Sequence, residues 1–283
     1  MLAALEAACH ARLLEEEGED VYHFAHDVIR EVIEADLGAA RRTMLHRCVA
    51  EALEAGPGEP AVELLAYHYA RSDAQDKAVR YLEQAGDKAA AQHANAAAEG
   101  YYRELVDRLD RLGRSLGAAH VREKLGTVLM TAGHYDAALE LVEQAAETYH
   151  AAGDLERWGG ALAQMGHLYT LSDRIGYEAG VARLQPFVAC LESHGASRGI
   201  AMLHAVLADL YWGTGRLREG LVAAGRAAEY ARAVGDDRLL GTAEQSRASL
   251  LGSMVGHQEE ALRVFEEARR AAEVAGDLET LWI

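Results

Sequence analysis

The chain has 283 residues and a formal charge of −17, from 28 Lys and Arg against 45 Asp and Glu; this excess is spread without a basic stripe and opposes direct contact with nucleic acid. Half of the residues are apolar and only three are Pro, with Ala, Leu, Glu and Arg dominant, so helix is expected almost throughout and a stack of small units suits the length. No run of eighteen apolar residues or secretion pattern points to a membrane, and Cys9, Cys48 and Cys190, without CxxC spacing, argue against a disulfide framework or zinc site and fit a reducing cytoplasm.

In chain order, Leu13 to Phe24 read as a short β-hairpin turning at Gly18 to Asp20, the only strands expected. The segment Phe24-Ala25-His26-Asp27-Val28-Ile29-Arg30-Glu31-Val32 follows, then Arg41-Arg42 and an apolar-periodic stretch from Leu45 to Leu53. His23 and His26, with His46 further on, could suggest metal ligands, but His23 and His26 do not share a helical face if residues 21 to 24 are a strand, so structural roles are expected and no metal. Residues 1 to 60 hold five Arg and no Lys against 13 acidic residues, the wrong sign for reading a DNA groove. The breaker cluster Gly56-Pro57-Gly58-Glu59-Pro60 separates a first region, 1–55, from a second, 60–283.

The second region repeats. Turns at Gly153, Gly195, Gly235 and Gly276 are 42, 40 and 41 residues apart. Gly133, Gly215 and Gly256 fall midway, 82 and 41 apart, with Asp173-Arg174-Ile175 in the vacant slot. Between turns, apolar residues recur at helical spacing, as in Leu125 and Leu129, then Leu139, Val142 and Ala146. The unit is therefore helix, turn, helix, turn, and each hairpin must bury its second face on a neighbour.

Small residues recur at fixed offsets where the two helices would touch: Gly126, Leu129, Ala138, Val142 and Ala145; Ala208, Tyr211, Gly220, Ala224 and Ala227; Ser249, Gly252, Ala261, Phe265 and Ala268; Ala66, Tyr69, Ala78, Leu82 and Ala85. Gly166 and Tyr169 join Gly180, Leu184 and Phe187 after a two-residue insertion, with a kink expected at Pro186. Ala89 to Leu112 reads as a further unit with a short first helix. This placement resembles the tetratricopeptide repeat, with a period about seven residues beyond the usual ~34. The resemblance implies an all-α, right-handed superhelical solenoid. The motif F-x-H-D-x-I-R-E-V and its surroundings resemble the end of the winged-helix region in signal-transducing ATPases, both the LuxR-type large ATP-binding regulators and the ATPases fused to cyclases.

Family resemblance also places ligands along the first helices, with inward positions Tyr67, Arg71, Thr127, Met130, His167, Thr170, Asp209, Trp212, Leu250 and Ser253. Trp158, Trp212 and Trp282 are each expected to anchor a neighbouring repeat, with lining of the groove as the alternative. No G-x-x-x-x-G-K-[ST], G-x-S-x-G or H-E-x-x-H occurs, so no catalytic activity and no cofactor are expected of this segment. The expected role is a regulatory sensor arm of a bacterial transcriptional regulator, binding an effector or protein partner, with an ATPase upstream in a longer parent. A passive scaffold and the regulatory segment of a cyclase-fused ATPase are the alternatives. Leu281-Trp282-Ile283, left apolar at the last repeat, would favour a homodimer.

Overall fold

The computed structural model describes residues 2–17, 21–56, 58, 61–171 and 176–275. The turn at Gly18 to Asp20, the Asp173 slot, Gly276 and Leu281-Trp282-Ile283 lie outside the described residues. Among the described residues the structure is all-α apart from one hairpin, and the chain divides into two compact units, 1–85 and 86–283. This division falls inside the helix Gln75–Ala91.

The first unit begins with α1 (Leu2–His10), followed by strands β1 (Leu14–Glu16) and β2 (Tyr22–Phe24), α2 (Asp27–Asp36) and α3 (Ala39–Ala55). The strands pair antiparallel with Leu14 opposite Phe24 and Glu16 opposite Tyr22, in the place expected from sequence. His23 lies on β2 within 3.3 Å of Glu15, and His26 is the N-cap residue of α2 without a side-chain capping bond. Helices α4 (Val62–Ala70) and α5 (Gln75–Ala91) follow, and α4 packs on α3.

A polar knot ties this unit together. Glu54 on α3 accepts hydrogen bonds from Tyr69 (2.6 Å), Tyr81 (2.5 Å) and Lys77 (2.5 Å), while the two tyrosine rings stack with centroids 5.3 Å apart. Those donors, Lys77 foremost, lower the Glu54 pKa from 4.5 to about 2 against the opposing effect of burial. A carboxylate with a depressed folded pKa contributes stability above its unfolded pKa and loses it as the group is protonated. The Glu54 contribution is therefore complete above about pH 4.5 and fades as pH falls toward about 2. Acid titrations followed by tyrosine near-ultraviolet circular dichroism should show that component in the native chain and lack it in Glu54→Gln.

The second unit continues through α6 (Asn95–Arg111), α7 (Ser115–Thr131), α8 (Tyr135–Ala152), α9 (Leu155–Leu171), α10 (Tyr177–Glu192), α11 (Arg198–Gly213), α12 (Leu217–Val234), α13 (Asp237–Gly252) and α14 (Gln258–Ala275). From α6 onward each helix packs on the next, and α9, α11 and α13 also pack on one another across the intervening helix. The odd-numbered helices thus form one layer and the even-numbered ones a second, as first and second helices of stacked hairpins. The turns are built alike. A residue in the left-handed region sits at Gly113, Gly133, Gly153, Gly195, Gly215, Gly235 and Gly256, and at several of these the next N–H reaches back five residues, as in His134 to Leu129 (2.8 Å) and Arg216 to Tyr211 (2.9 Å).

One hairpin differs from the sequence expectation. The first helix of the Ala89–Leu112 unit is not short: the 17-residue α5 supplies it. A Cβ on Gly86 would lie 2.5 Å from the Tyr102 ring, just as one on Gly126 would lie 2.6 Å from Val142, so the two hairpins share a register. Its turn was hidden because His93, not glycine, adopts the left-handed φ of 56°. The inserted hairpin holds as expected, with Leu184 fully buried beside Gly166, and α10 runs on through Pro186.

Candidate binding groove

The layer of first helices positions the groups that can meet a ligand. On α11, Arg198, Met202, Ala205 and Asp209 follow at intervals of four, three and four, which places them on one face. His167 comes from α9, and Arg238, Leu239 and Thr242 from α13. Together these eight residues line a recess of about 270 Å³. The helix starts that carry it are capped: Ser197 accepts from Ile200 N–H at α11, and Asp236 accepts from Leu239 N–H at α13. Asp236 also pairs with Arg198 at 2.9 Å, so one carboxylate caps α13 and holds a groove cation of α11.

Asp209 accepts a 2.8 Å hydrogen bond from Ser246 on α13. Desolvation pushes its carboxyl above the ordinary range, opposed by the Ser246 bond and by His167. His167 is open to solvent at the recess yet crowded by its walls, and this desolvation lowers its pKa while Asp209 pulls the other way. The pair offers a donor and an acceptor whose charges are both weakened by the site. Beyond it, Trp212 is 49% exposed, and its Nε1–H donates to Ser253 Oγ at 2.9 Å. A similar bridge joins Gln164 Nε2 to Thr127 Oγ1 at 2.9 Å. Thr170 bonds back to the His167 carbonyl at 2.7 Å, and Met130 is half-buried on α7.

Several expected positions therefore converge, and others do not. His167 and Asp209 share the recess, while Trp212 with Ser253, and Thr127 with Gln164, bridge adjacent first helices. Leu250 is a correction: it is 1% exposed and fills the space beside Gly220 of α12, where a Cβ would lie 2.6 Å from it. Tyr67 and Arg71 belong to the first unit, where the guanidinium sits 3.8 Å above the phenol ring. The residues missed from sequence are Arg198, Met202, Arg238, Thr242 and Ser246. Their signal was present on α11, since residues 202 and 198 precede Asp209 by about two and three helical turns.

No family model matches the chain, and no curated protein matches it. Solved structures with a similar fold exist. BtubC (BKLC) from P. vanneervenii is 16% identical with a TM-score of 0.58, over 86% of this chain and 94% of that one. A signal transduction ATPase with numerous domains (STAND) with a tetratricopeptide repeat sensor, from Pyrococcus horikoshii, is 16% identical with a TM-score of 0.56, over 98% of this chain and 53% of that one. A Rap protein solved in complex with Competence and Sporulation Factor is 14% identical with a TM-score of 0.51, over 90% of this chain and 76% of that one. The fold is thus that of a tetratricopeptide-like helical repeat solenoid. Among the described residues no helix is long and apolar enough to cross a membrane.

Proposed function

We propose that the chain is a regulatory sensor module that takes a peptide or small effector in the groove formed by α9, α11 and α13. The observation that carries this reading is the convergence of His167, Asp209, Arg198 and Arg238 on one recess, with Trp212 exposed on the same helix layer. Aromatic, charged and hydrogen-bonding groups on one concave wall suit recognition of an extended peptide. The Rap protein solved with Competence and Sporulation Factor and the STAND protein with a tetratricopeptide repeat sensor support a sensory role by analogy of fold. The helix–hairpin–helix order at residues 2–36, with its F-x-H-D motif, supports placement in a signal-transducing ATPase. On this reading the parent is a LuxR-type transcriptional regulator, and effector binding shifts the ATPase between two states.

Selection of random peptides against the chain tests the groove. Peptides bound by the native protein are expected to lose about tenfold or more in affinity to Asp209→Asn and to Trp212→Ala, as for an interfacial hydrogen bond or aromatic contact worth about 1.4 kcal/mol or more. Selected peptides that bind both variants as tightly as the native chain would overturn the assignment.

A further inference from the structure

The recess of about 270 Å³ between α9, α11 and α13 has a charge order along its length. Two contacts set the register of α11 against α13: Arg198 pairs with Asp236 at 2.9 Å, and Asp209 accepts from Ser246 at 2.8 Å. Arg238, two residues after Asp236, therefore stands at the Arg198 end. His167 stands at the other end, where its charge and that of Asp209 act on each other. Met202, Ala205 and Leu239 wall the stretch between. The recess thus runs from two guanidiniums, past apolar side chains, to a carboxylate.

Each end offers an accessible group. The Arg198 side chain is 58% exposed although Asp236 holds it. At the other end Asp209 Oδ1 is taken by Ser246, and Oδ2 meets no donor among the described residues. The side-chain atoms that are sealed from solvent without a hydrogen-bond partner are Arg108 Nε, Arg122 Nε and His204 Nδ1. Asp209 Oδ2 is not one of them, so solvent reaches it at the recess that the residue lines. Desolvation opposes the negative charge of this carboxyl, and a ligand cation seated on Oδ2 offsets that cost.

The two ends are well separated. Arg198 and Asp209 are eleven residues apart on one helix, which puts their Cα atoms about 16 Å apart along its axis. An extended chain of about three residues spans roughly 10 Å and leaves the rest to the two side chains and their hydrogen bonds. We propose that the ligand of the groove is a short peptide of about three residues with both ends free, lying antiparallel to α11. Its amino terminus sits on Asp209 Oδ2 and its carboxylate on Arg198 and Arg238. The proposal rests on the groove being the binding surface and adds the length, the end groups and the direction of what binds there. A ligand with a single charge would leave one end of the recess unmatched.

A pool of random tripeptides tests this in four forms: both ends free, the amino end acetylated, the carboxyl end amidated, and both ends capped. Equilibrium dialysis against the full chain, with mass spectrometry of the retained peptides, reads the affinities. Acetylation and amidation each remove one terminal charge, and each should weaken binding by about tenfold or more. Asp209→Asn should erase the penalty for acetylation and keep that for amidation. Arg198→Gln should reduce the penalty for amidation and keep that for acetylation, both variants retaining the native helical circular dichroism. Capped tripeptides that bind as tightly as free ones, penalties unchanged in the variants, or no binding of tripeptides in any form would overturn the proposal. The groove itself falls only if longer selected peptides also ignore Asp209→Asn and Trp212→Ala, which separates the two failures.

Discussion

Trp158→Ala should destabilise the second unit by about 4 kcal/mol, within the range found when a large buried aromatic is truncated. Trp158 is 3% exposed on α9, its ring 4.3 Å from that of His150 on α8 and 5.5 Å from Phe187 on α10. It therefore joins three successive helices, and its loss weakens the interface between two repeats as well as the interior of the second. In an array stabilised by nearest-neighbour contacts, such a cut uncouples the segments on either side. Urea unfolding should change from one transition to two, with helices preceding α9 and those following it melting separately. A single transition at the native midpoint would show that Trp158 does not carry this junction.

Gly159→Ala should cost about 2 kcal/mol, while Gly160→Ala next to it should stabilise by about 0.5 kcal/mol. Both glycines are in the interior of α9, where alanine is the better helix former. A Cβ at Gly159 would lie 2.5 Å from the backbone carbon of Gly199 on α11, and one at Gly199 would lie 2.5 Å from the Glu156 carbonyl oxygen. The two helix backbones touch, and no flexible side chain stands between them to yield. At Gly160 nothing lies within 4 Å of the added carbon. Parting α9 from α11 would also move His167 away from Asp209, so the Gly159 variant should weaken any groove ligand and the Gly160 variant should not. Denaturation midpoints of the two variants with opposite signs are the expected result; a shared sign would contradict the close backbone contact.

The repeat was legible because its turns need a left-handed residue and its helix contacts need small ones, both of which leave marks at fixed spacing. Legibility failed where another residue met the same requirement. His93 adopts the left-handed conformation without being glycine, so the turn after α5 left no mark and the following hairpin looked truncated. The groove was half legible for a related reason. Equivalent offsets brought out His167, Asp209, Trp212 and Ser253, since each first helix presents the same face. Leu250 shares the offset of Asp209, yet Gly220 on the neighbouring helix leaves a slot that a leucine fills, which turns this position inward to the core. The partner of Asp209 is instead Ser246, one helical turn earlier on α13, and a single sequence does not reveal such a displacement between adjacent helices.

Hydrogen exchange of the chain with and without a selected peptide tests the central claim most directly, because it reports which helices the ligand protects. Protection is expected in α9, α11 and α13, centred on the turns that hold His167, Asp209 and Ser246. Protection confined to α12 and α14, or to residues 1–85, with the first-helix layer unchanged, would contradict the account.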